Sequence, residues 1–246
     1  MNKLVRAIAG AVAGFICAPA FGQALEEVVV TAQKREESLQ DVPVSIAVFD
    51  EETFNTRQVD AIGEIALIVP SFEYARAPSD SPGLTFRGIG TQAGNVAFDN
   101  SVGMFVDGAF LGNVRLYGQT LFDVQRVELI KGTQSTLLGK NTSLGGISVV
   151  NNKPGDEFGG TAEIGTEVEN GGWFGQGAID LPVNDQFKLR VAGRYSDLDG
   201  WVNNVTTGKE VPADRDIGVR LSALWEPSAN FDALLTYQYT DNKRVG

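Results

Sequence analysis

The sequence predicts a compact α+β domain followed by antiparallel transmembrane β-barrel strands, so that the second part of the chain is all-β. Three observations predict this fold: an apolar N-terminal segment, a Gly-punctuated region of mixed elements, and regular alternation of apolar and polar residues beyond Pro154. A period of two residues is that of a β-strand with two different faces. Here one face carries aromatics and the other carries charge, which is typical of strands between lipid and a watery lumen.

Residues 1–24 have the form of a secretory signal peptide. Lys3 and Arg6 provide the charged start, and an apolar stretch follows at residues 7–16. Small residues come next, as a cleavage site requires. Cleavage is expected after one of three residues, with the first preferred: Ala24, Ala20 or Gly22.

Composition excludes several classes of function. The 246 residues carry a net charge of −11, and removal of residues 1–24 takes away two positive residues and no acids, which gives −13. Nucleic-acid binding needs clustered Lys and Arg, so we expect no nucleic-acid partner. The chain has no histidine, which excludes His-based triads and His-ligated zinc. Carboxylate-only mechanisms survive, since 31 acids are available, although no spacing singles out a pair. We expect no enzyme, no metal site and no cofactor. The only cysteine, Cys17, lies inside the signal segment.

Mixed elements precede Pro154. Residues 25–41 are polar apart from three valines and are interpreted as a flexible tail. A strand is predicted at Val42–Phe49, Asp50 is expected to cap a short helix, and a second helix is expected at Ala61–Leu67. Further strands are predicted at Leu84–Arg87, Val102–Val106, Val124–Ile130 and Ile147–Asn151. This pattern predicts a domain of about 110 residues, which is large enough to bury its own core.

Five alternating segments follow, and in the fourth of them Leu224 is the exception. They are Thr161–Glu169, Trp173–Leu181, Phe187–Ser196, Asp216–Glu226 and Phe231–Thr240. Short connections alternate with a long polar loop, Asp197–Arg215, and aromatics flank both kinds, as in the interfacial girdles of membrane barrels. A soluble antiparallel sandwich is the alternative, since its strands also alternate.

Three motifs carry a resemblance to a known family. The first is the run Glu26-Glu27-Val28-Val29-Val30-Thr31-Ala32. The second combines Leu84–Gly90, with its Arg87-Gly88 pair, and Val102–Gly108, with its terminal Asp107-Gly108. The third and most specific runs over Val124–Thr142 and continues into Gly145-Gly146-Ile147. In these motifs the chain resembles the N-terminal part of TonB-dependent outer-membrane receptors, over about residues 26–246.

The resemblance implies that the first motif is a TonB box, the segment that binds the TonB energy-coupling complex. Its residues would be Glu27, Val28, Val29, Val30 and Thr31. Such a segment binds by β-augmentation, in which an extended peptide adds to a sheet edge through backbone hydrogen bonds. β-branched valines favour that extended state. An ordinary polar tail or a first strand of the plug are the alternatives.

The other two motifs resemble the family's plug domain. The matching residues are Arg87, Gly88, Asp107, Gly108, Arg126, Glu128, Lys131, Gly132, Gly139, Asn141, Gly145 and Gly146. The glycines are interpreted as structural, and the hypothesis for the charged residues is that they join plug to barrel as a releasable latch. The chain departs from the family at Thr133, Leu138 and Lys140, which puts local packing in doubt. A dinucleotide fingerprint at Gly88 lacks its βαβ unit, and a phosphate loop ending at Lys140 fails at Gln134 and Asn141.

The resemblance also implies a domain order and a function. Residues 25–41 would be a periplasmic tail, 42–154 the plug, and 155–246 the first five strands of a barrel of about 22 strands. Members import scarce nutrients across the outer membrane of Gram-negative cells, most often ferric siderophores, also cobalamin and sugars. By analogy the small-molecule substrate would contact loops Ala75–Ser81 and Gln92–Asn100.

Five strands leave two open edges, which lipid cannot satisfy, so we expect the chain to be a fragment. Two other functions compete. One is a plug-like periplasmic binding module, with residues 159–246 as a soluble sheet. The other is a signalling receptor or adhesin.

Overall fold

The computed structural model describes residues 29–30, 37–38, 40, 42–57, 59–77, 81–95, 97–169, 171–206 and 208–245. The predicted signal segment, 1–24, lies outside these residues, as do Glu27, Val28 and Thr31 of the predicted TonB box. Within the described ranges, none of the helices has the length and apolar character that crossing a membrane requires.

The residues before 155 form an α+β domain, the plug. Its elements are β1 (Val29–Val30), β2 (Glu37–Ser38), β3 (Ser45–Asp50), α1 (Glu51–Arg57), α2 (Ile62–Ile68), β4 (Phe72–Ala75), β5 (Gly83–Phe86), β6 (Ile89–Gly90), β7 (Val102–Val106), β8 (Ala109–Phe110), a 3₁₀ helix (Val114–Gly118), β9 (Val124–Lys131), α3 (Ser135–Leu138) and β10 (Gly145–Asn151). The main sheet has the order β3-β9-β10-β7-β8, in which only β10 and β7 are parallel. Smaller sheets are formed by β1-β2 and β4-β5-β6.

The plug core lies between the main sheet and the two helices. Asp50 caps α1, because its Oδ1 accepts hydrogen bonds from the Thr53 N–H at 2.9 Å and the Thr53 hydroxyl at 2.6 Å. Ile62 and Ile65 lie one helical turn apart on α2, and both are fully buried. The large side chains of this core include Phe72, Leu84, Leu129 and Ile147.

Most predicted plug elements are confirmed with shifted bounds, and Val102–Val106 is found as predicted. The first main-sheet strand begins at Ser45 rather than Val42. Arg87 leaves the predicted strand and lies in a turn. The prediction of a flexible tail over residues 25–41 is wrong for Val29–Val30, which pair with Glu37–Ser38 in a small antiparallel sheet.

All five predicted strands of the second part are confirmed. The strands there are β11 (Gly159–Thr166), β12 (Gly172–Asn184), β13 (Phe187–Leu198), β14 (Val202–Asn204), β15 (Lys209–Val211), β16 (Ala213–Ser228) and β17 (Phe231–Val245). Five of them form one antiparallel sheet, the wall, in the order β11-β12-β13-β16-β17. The predicted polar loop Asp197–Arg215 is shorter than expected, because β13 and β16 extend into it and β14 pairs with β15 inside it.

The two faces of the wall have an exposure opposite to that of a soluble sheet. Along β16, Val219 and Leu221 are 39% and 46% exposed, whereas Arg220 and Ser222 are 4% and 5% exposed. The pairing register carries this pattern across strands, since Leu221 lies opposite Val191 on β13. Soluble proteins bury apolar side chains and expose charges. The wall therefore has an outer apolar face and an inner polar face, as a transmembrane barrel requires.

Aromatic pairs mark the two ends of the outer face. The rings of Trp173 and Tyr195 are 4.9 Å apart near the long connection. Trp225 and Phe231 are 5.8 Å apart, edge to face, beside a short turn. Aromatic rings at these two levels match the interfaces between lipid and water.

A nitroxide spin label at Leu189 or Leu221 should be accessible to oxygen and shielded from a water-soluble nickel complex, because both positions lie on the outer face. Power-saturation spectroscopy on native outer membranes measures this accessibility. A label at Thr206, in the exposed turn between β14 and β15, serves as the aqueous control. Aqueous accessibility at Leu189 and Leu221 would show that the wall is a soluble sheet.

Candidate functional site

The plug contacts the wall through a polar cluster centred on Asp123, directly before β9. Arg190 of β13 donates from Nε to Asp123 Oδ2 at 3.0 Å and from Nη2 to Oδ1 at 2.5 Å. Asn152 donates to the same Oδ1 at 3.0 Å, and Asp180 of β12 forms a second ion pair with Arg190. The side chains of Arg190 and Asp123 are only 11% and 7% exposed. This bidentate pair is therefore poorly screened by water and salt.

Phe122 fixes the position of the carboxylate of Asp123, the next residue in the chain. Its ring packs on small wall residues, Ala178 and Ala192, and lies so close to Gly218 that a Cβ there would be 2.6 Å from the ring. The Arg220 guanidinium lies 4.6 Å from the ring centroid, a cation–π contact. It also donates to the carbonyl oxygens of Phe122 and the next residue at 3.1 and 3.0 Å.

A second contact joins the wall to the start of α2. Arg194 of β13 donates to Asp60 Oδ2 at 2.6 Å and to Oδ1 at 3.2 Å. The same guanidinium donates to Gln176 at 3.0 Å and lies 5.3 Å from the Phe174 ring centroid. The sequence placed these arginines on the polar face but gave them no role. The sequence did contain a signal for this role: arginines recur on the polar face of the predicted strands, and the preceding domain is rich in acidic residues that could pair with them.

Two of the predicted latch residues, Arg126 and Glu128, pair with each other. Arg126 donates to Glu128 Oε1 at 2.8 Å within β9, and the Glu128 side chain is fully buried. The described partners of Arg126 lie within the plug, and the latch hypothesis stays a prediction. The ion pairs that the described residues make between plug and wall are formed by Asp60 and Asp123.

The two shorter plug motifs form tight hairpin turns. Arg87 and Gly88 join β5 to β6 with φ values of 54° and 75°, and Asp107 and Gly108 join β7 to β8 with 48° and 79°. Two successive positive φ values define the hairpin turn that matches strand twist. Asp107 also accepts two hydrogen bonds from Asn151, at 2.9 Å from the backbone N–H and 2.7 Å from Nδ2. It therefore ties the hairpin to the end of β10.

The third motif is a strand, a Gly-rich turn and a returning strand, as predicted. Four of its residues have positive φ: Gly132, Gly139, Asn141 and Gly145. Gly145 lies opposite Lys131, and a Cβ on it would come within 2.1 Å of the Ile130 carbonyl oxygen. A Cβ on Gly146 would be 3.0 Å from Leu138. The close approach of β10 to β9 thus requires glycine at position 145.

The described part of the predicted TonB box is already a strand. Val29 and Val30 form β1, which pairs with β2 over two residues. The Val30 side chain is fully buried and clusters with Val42 and Ile130 of the plug. The segment is therefore extended, as β-augmentation requires, but it contacts the plug.

The two predicted ligand loops line neighbouring cavities. Cavity A, of about 280 Å³, lies between Arg76 and Ala77 of the first loop, the 3₁₀ helix, and the ends of β16 and β17 nearest the long connection. Cavity B, of about 270 Å³, includes Gln92, Asn95, Phe98, Asp99 and Asn100 of the second loop. Pro82 and Arg115 line both cavities. The structure thus places the two loops, which only residues 82–91 separate in sequence, at neighbouring cavities.

Fixed polar groups shape cavity B. A hydrogen bond from the Asn141 side chain, together with Lys140 nearby, lowers the pKa of Asp99. Tyr117 accepts a hydrogen bond from the Met104 N–H at 3.2 Å and donates to the Leu111 carbonyl at 3.4 Å. Burial raises the pKa of Tyr117, so its hydroxyl stays protonated.

A larger cavity, of about 520 Å³, lies between plug and wall. Its lining includes the acids Glu51, Asp60, Asp123, Glu163 and Glu167. It adjoins the Asp123 cluster, lies between plug and wall, and contains neither predicted ligand loop. Nowhere in the described ranges do three or more His, Cys, Asp or Glu residues form a group that could hold a metal ion.

A plug packed against the polar inner face of such a wall is the arrangement found in plugged outer-membrane barrels. Residues 38–147 match the family model of the TonB-dependent receptor plug domain. These residues are therefore the plug domain of a TonB-dependent receptor. The chain is also 24% identical, over 190 residues, to the iron-regulated outer membrane virulence protein of Vibrio cholerae. That match covers 71% of this chain and 28% of the relative.

Solved structures show the same fold. The ferric yersiniabactin uptake receptor of Yersinia pestis has a TM-score of 0.71 at 19% identity, with 81% of this chain and 32% of the receptor covered. The pyoverdine outer membrane receptor of Pseudomonas aeruginosa has a TM-score of 0.71 at 16% identity, with 87% and 30% covered. The chain thus spans about a third or less of the length of these relatives.

Replacing Asp123 with Ala should lower the free energy of unfolding of the plug by about 3–5 kcal/mol, because it leaves a buried arginine without its main partner. Urea unfolding of the detergent-solubilised receptor, monitored by hydrogen exchange of the β9 backbone, measures this loss. Lys140→Gln is the control. It breaks an ion pair with Asp99 whose side chains are 72% and 63% exposed, so the expected change is under about 1 kcal/mol. Equal losses in the two variants would contradict the role of Asp123.

Proposed function

We propose that this chain forms the plug and first strands of a transporter that imports a ferric siderophore across the outer membrane with energy from TonB. The observation that carries the proposal is the inverted exposure of the wall, whose charged face packs against a plug domain and whose apolar face is exposed. Relatives named as uptake receptors for ferric yersiniabactin and pyoverdine support the substrate class.

The proposed orientation follows from the connections between strands. The connections at residues 185–186 and 229–230 are two residues long, whereas residues 199–212 form a longer connection that contains the β14–β15 hairpin. In outer-membrane barrels short turns face the periplasm and long loops face outside. Cavities A and B would then open towards the cell exterior. The tail at residues 25–41 and the periplasmic side of the plug, residues 42–154, would face TonB.

TonB is the proposed partner of β1. The extended valines at this position would add to a sheet edge of TonB through backbone hydrogen bonds. β1 pairs with β2 over only two residues, so TonB binding would require this short pairing to open and Val30 to leave its cluster with Val42 and Ile130.

Val29→Pro in the intact receptor should abolish uptake of radioactive iron while leaving substrate binding unchanged, because proline removes a backbone donor that the proposed TonB pairing needs. Iron uptake by receptor-deficient cells that express the variant measures this effect. Val205→Pro, in the exposed turn after β14, is the matched control and should transport normally. Normal uptake by the Val29 variant would remove the assignment of the TonB box.

A cysteine at Thr206 should react in intact cells with a maleimide that does not cross membranes, because the long connection is proposed to face outside. A cysteine at Asn230, in a two-residue connection, should react only after the outer membrane is opened. Within the given sequence the sole cysteine, Cys17, belongs to the predicted signal segment, so neither connection carries a natural cysteine. The opposite labelling pattern would reverse the proposed orientation.

A further inference from the structure

A narrow part of the plug separates two cavities. This part, the strap, consists of residues 60–61 and 120–121. Its residues 61 and 120 line cavity A, and its residues 60 and 121 line the cavity of about 520 Å³ between plug and wall, cavity C. Phe122, directly after the strap, lines both cavities. If the strap moved aside, cavities A and C would join into one passage along the inner face of the wall.

Backbone hydrogen bonds make the strap a single unit. The Leu121 N–H donates to the carbonyl oxygen of Asp60 at 2.7 Å. Ala61 forms an antiparallel bridge with Thr120. Glu64, in the first turn of α2, accepts hydrogen bonds at Oε2 from the N–H groups of Asp60 and Ala61. The two pieces of the strap and the start of α2 can therefore move together.

The strap is held on the wall by the ion pair between Asp60 and Arg194. The Asp60 side chain is 38% exposed, whereas that of Asp123, which pairs with Arg190, is 7% exposed. Water screens the charge of an exposed carboxylate, so separating such a pair costs much less than separating a buried one. Of these two contacts between plug and wall, the one at Asp60 is therefore the easier to open.

Contacts on the wall would keep Arg194 in place after Asp60 has left. The Arg194 guanidinium donates to Gln176 at 3.0 Å and lies 5.3 Å from the centroid of the Phe174 ring. Gln176 is fixed in turn, because its Nε2 donates to Glu163 Oε2 at 2.7 Å. The arginine thus keeps a hydrogen-bond acceptor and a cation–π partner when the strap moves, which lowers the cost of opening.

The chain directly after the strap is attached more firmly. The Phe122 ring packs on the wall, and the carbonyl oxygens of Phe122 and Asp123 accept hydrogen bonds from Arg220. Nearby, the Gly155 N–H donates to Asp180 of β12 at 2.9 Å. Because several buried contacts would have to break at once here, we expect this attachment to persist when the strap opens.

We propose that the strap is the gate of the import passage, with the Asp60–Arg194 ion pair as its releasable contact and Phe122–Asp123 as its hinge. Opening the ion pair lets the strap turn about the hinge and joins cavity A to cavity C. This inference rests on the proposed import function and adds the place at which the substrate would pass between plug and wall.

Cavity C gives the open passage an electrical signature. Among the described residues, its lining contains neither lysine nor arginine, and it contains five acids: Glu51, Asp60, Asp123, Glu163 and Glu167. Carboxylates along a water-filled path favour cations over anions. An open gate should therefore pass a cation-selective current, which can be measured without any siderophore.

The test places Asp60→Cys and Arg194→Cys together in the intact receptor. These substitutions remove the ion pair, and a bifunctional thiosulfonate then joins the two positions through disulfides that a reductant cleaves. Current is measured in planar lipid bilayers, and uptake of radioactive iron is measured in cells with a ferric tris-catecholate and a ferric trihydroxamate. The control pair is Gly155→Cys with Asp180→Cys, because a Cβ on Gly155 would be 3.3 Å from the Asp180 Cγ, close enough for a direct disulfide.

Before crosslinking, the variant with both Asp60→Cys and Arg194→Cys should be open about tenfold more often than the unaltered receptor, the size expected for one charged hydrogen-bonded pair. The crosslink should abolish both the current and iron uptake while the amount of bound chelate stays unchanged, and the reductant should restore both. The control disulfide should change neither, because the hinge stays on the wall.

The gate is overturned if the crosslinked receptor conducts and imports as well as the reduced one, or if the control disulfide stops uptake as completely. Siderophore import would stand in both cases. If the unaltered receptor imports neither chelate, the import proposal fails instead, and the effect of the crosslink on the current still decides whether the strap is a gate.

Discussion

The wall has to satisfy two environments, because its outer face meets hydrocarbon and its inner face meets the plug. Every charged group on the inner face must therefore find a partner on the plug or on the wall itself, since a buried unpaired charge is costly. Arg190, Arg194 and Arg220 meet this requirement with Asp123, Asp60 and two backbone carbonyls. The position of the plug follows from these contacts.

A polar interface of this kind differs from a hydrophobic one in how it can be released. Replacing a buried ion pair with apolar side chains is often neutral or stabilising, so the charges here are weak as a source of net stability. These charges instead make the contact between plug and wall specific, and they allow it to be exchanged for contacts with water. A guanidinium that leaves a carboxylate can be rehydrated when water enters a polar lumen, whereas an apolar contact has no such compensation. The small hydrophobic cluster around Phe122 is the exception.

The sequence predicted the wall well because its signal is local. Alternation along β16 depends only on which neighbour is lipid, so Leu221 and Arg220 could be assigned to faces without knowing any partner. The plug-to-wall contacts could not be predicted, because Asp123 and Arg190 are 67 residues apart and the local sequence around each does not indicate its partner. The pairing of Val29–Val30 with Glu37–Ser38 was missed for a related reason. Two-residue strands are too short to show a period.

β9 connects the features that lie at opposite ends of the plug. It begins next to Asp123, which the wall holds, and ends at Ile130 and Lys131, where Ile130 packs on the buried Val30 of β1. Eight residues of strand, about 26 Å, separate these two ends. β9 is paired on both sides, with β3 and β10, whereas β1 has two paired residues. A short, marginal pairing opens at lower free energy than a central strand. A pull applied at β1 would therefore open the β1–β2 pairing first, while the Asp123 contact still holds the far end of β9 on the wall.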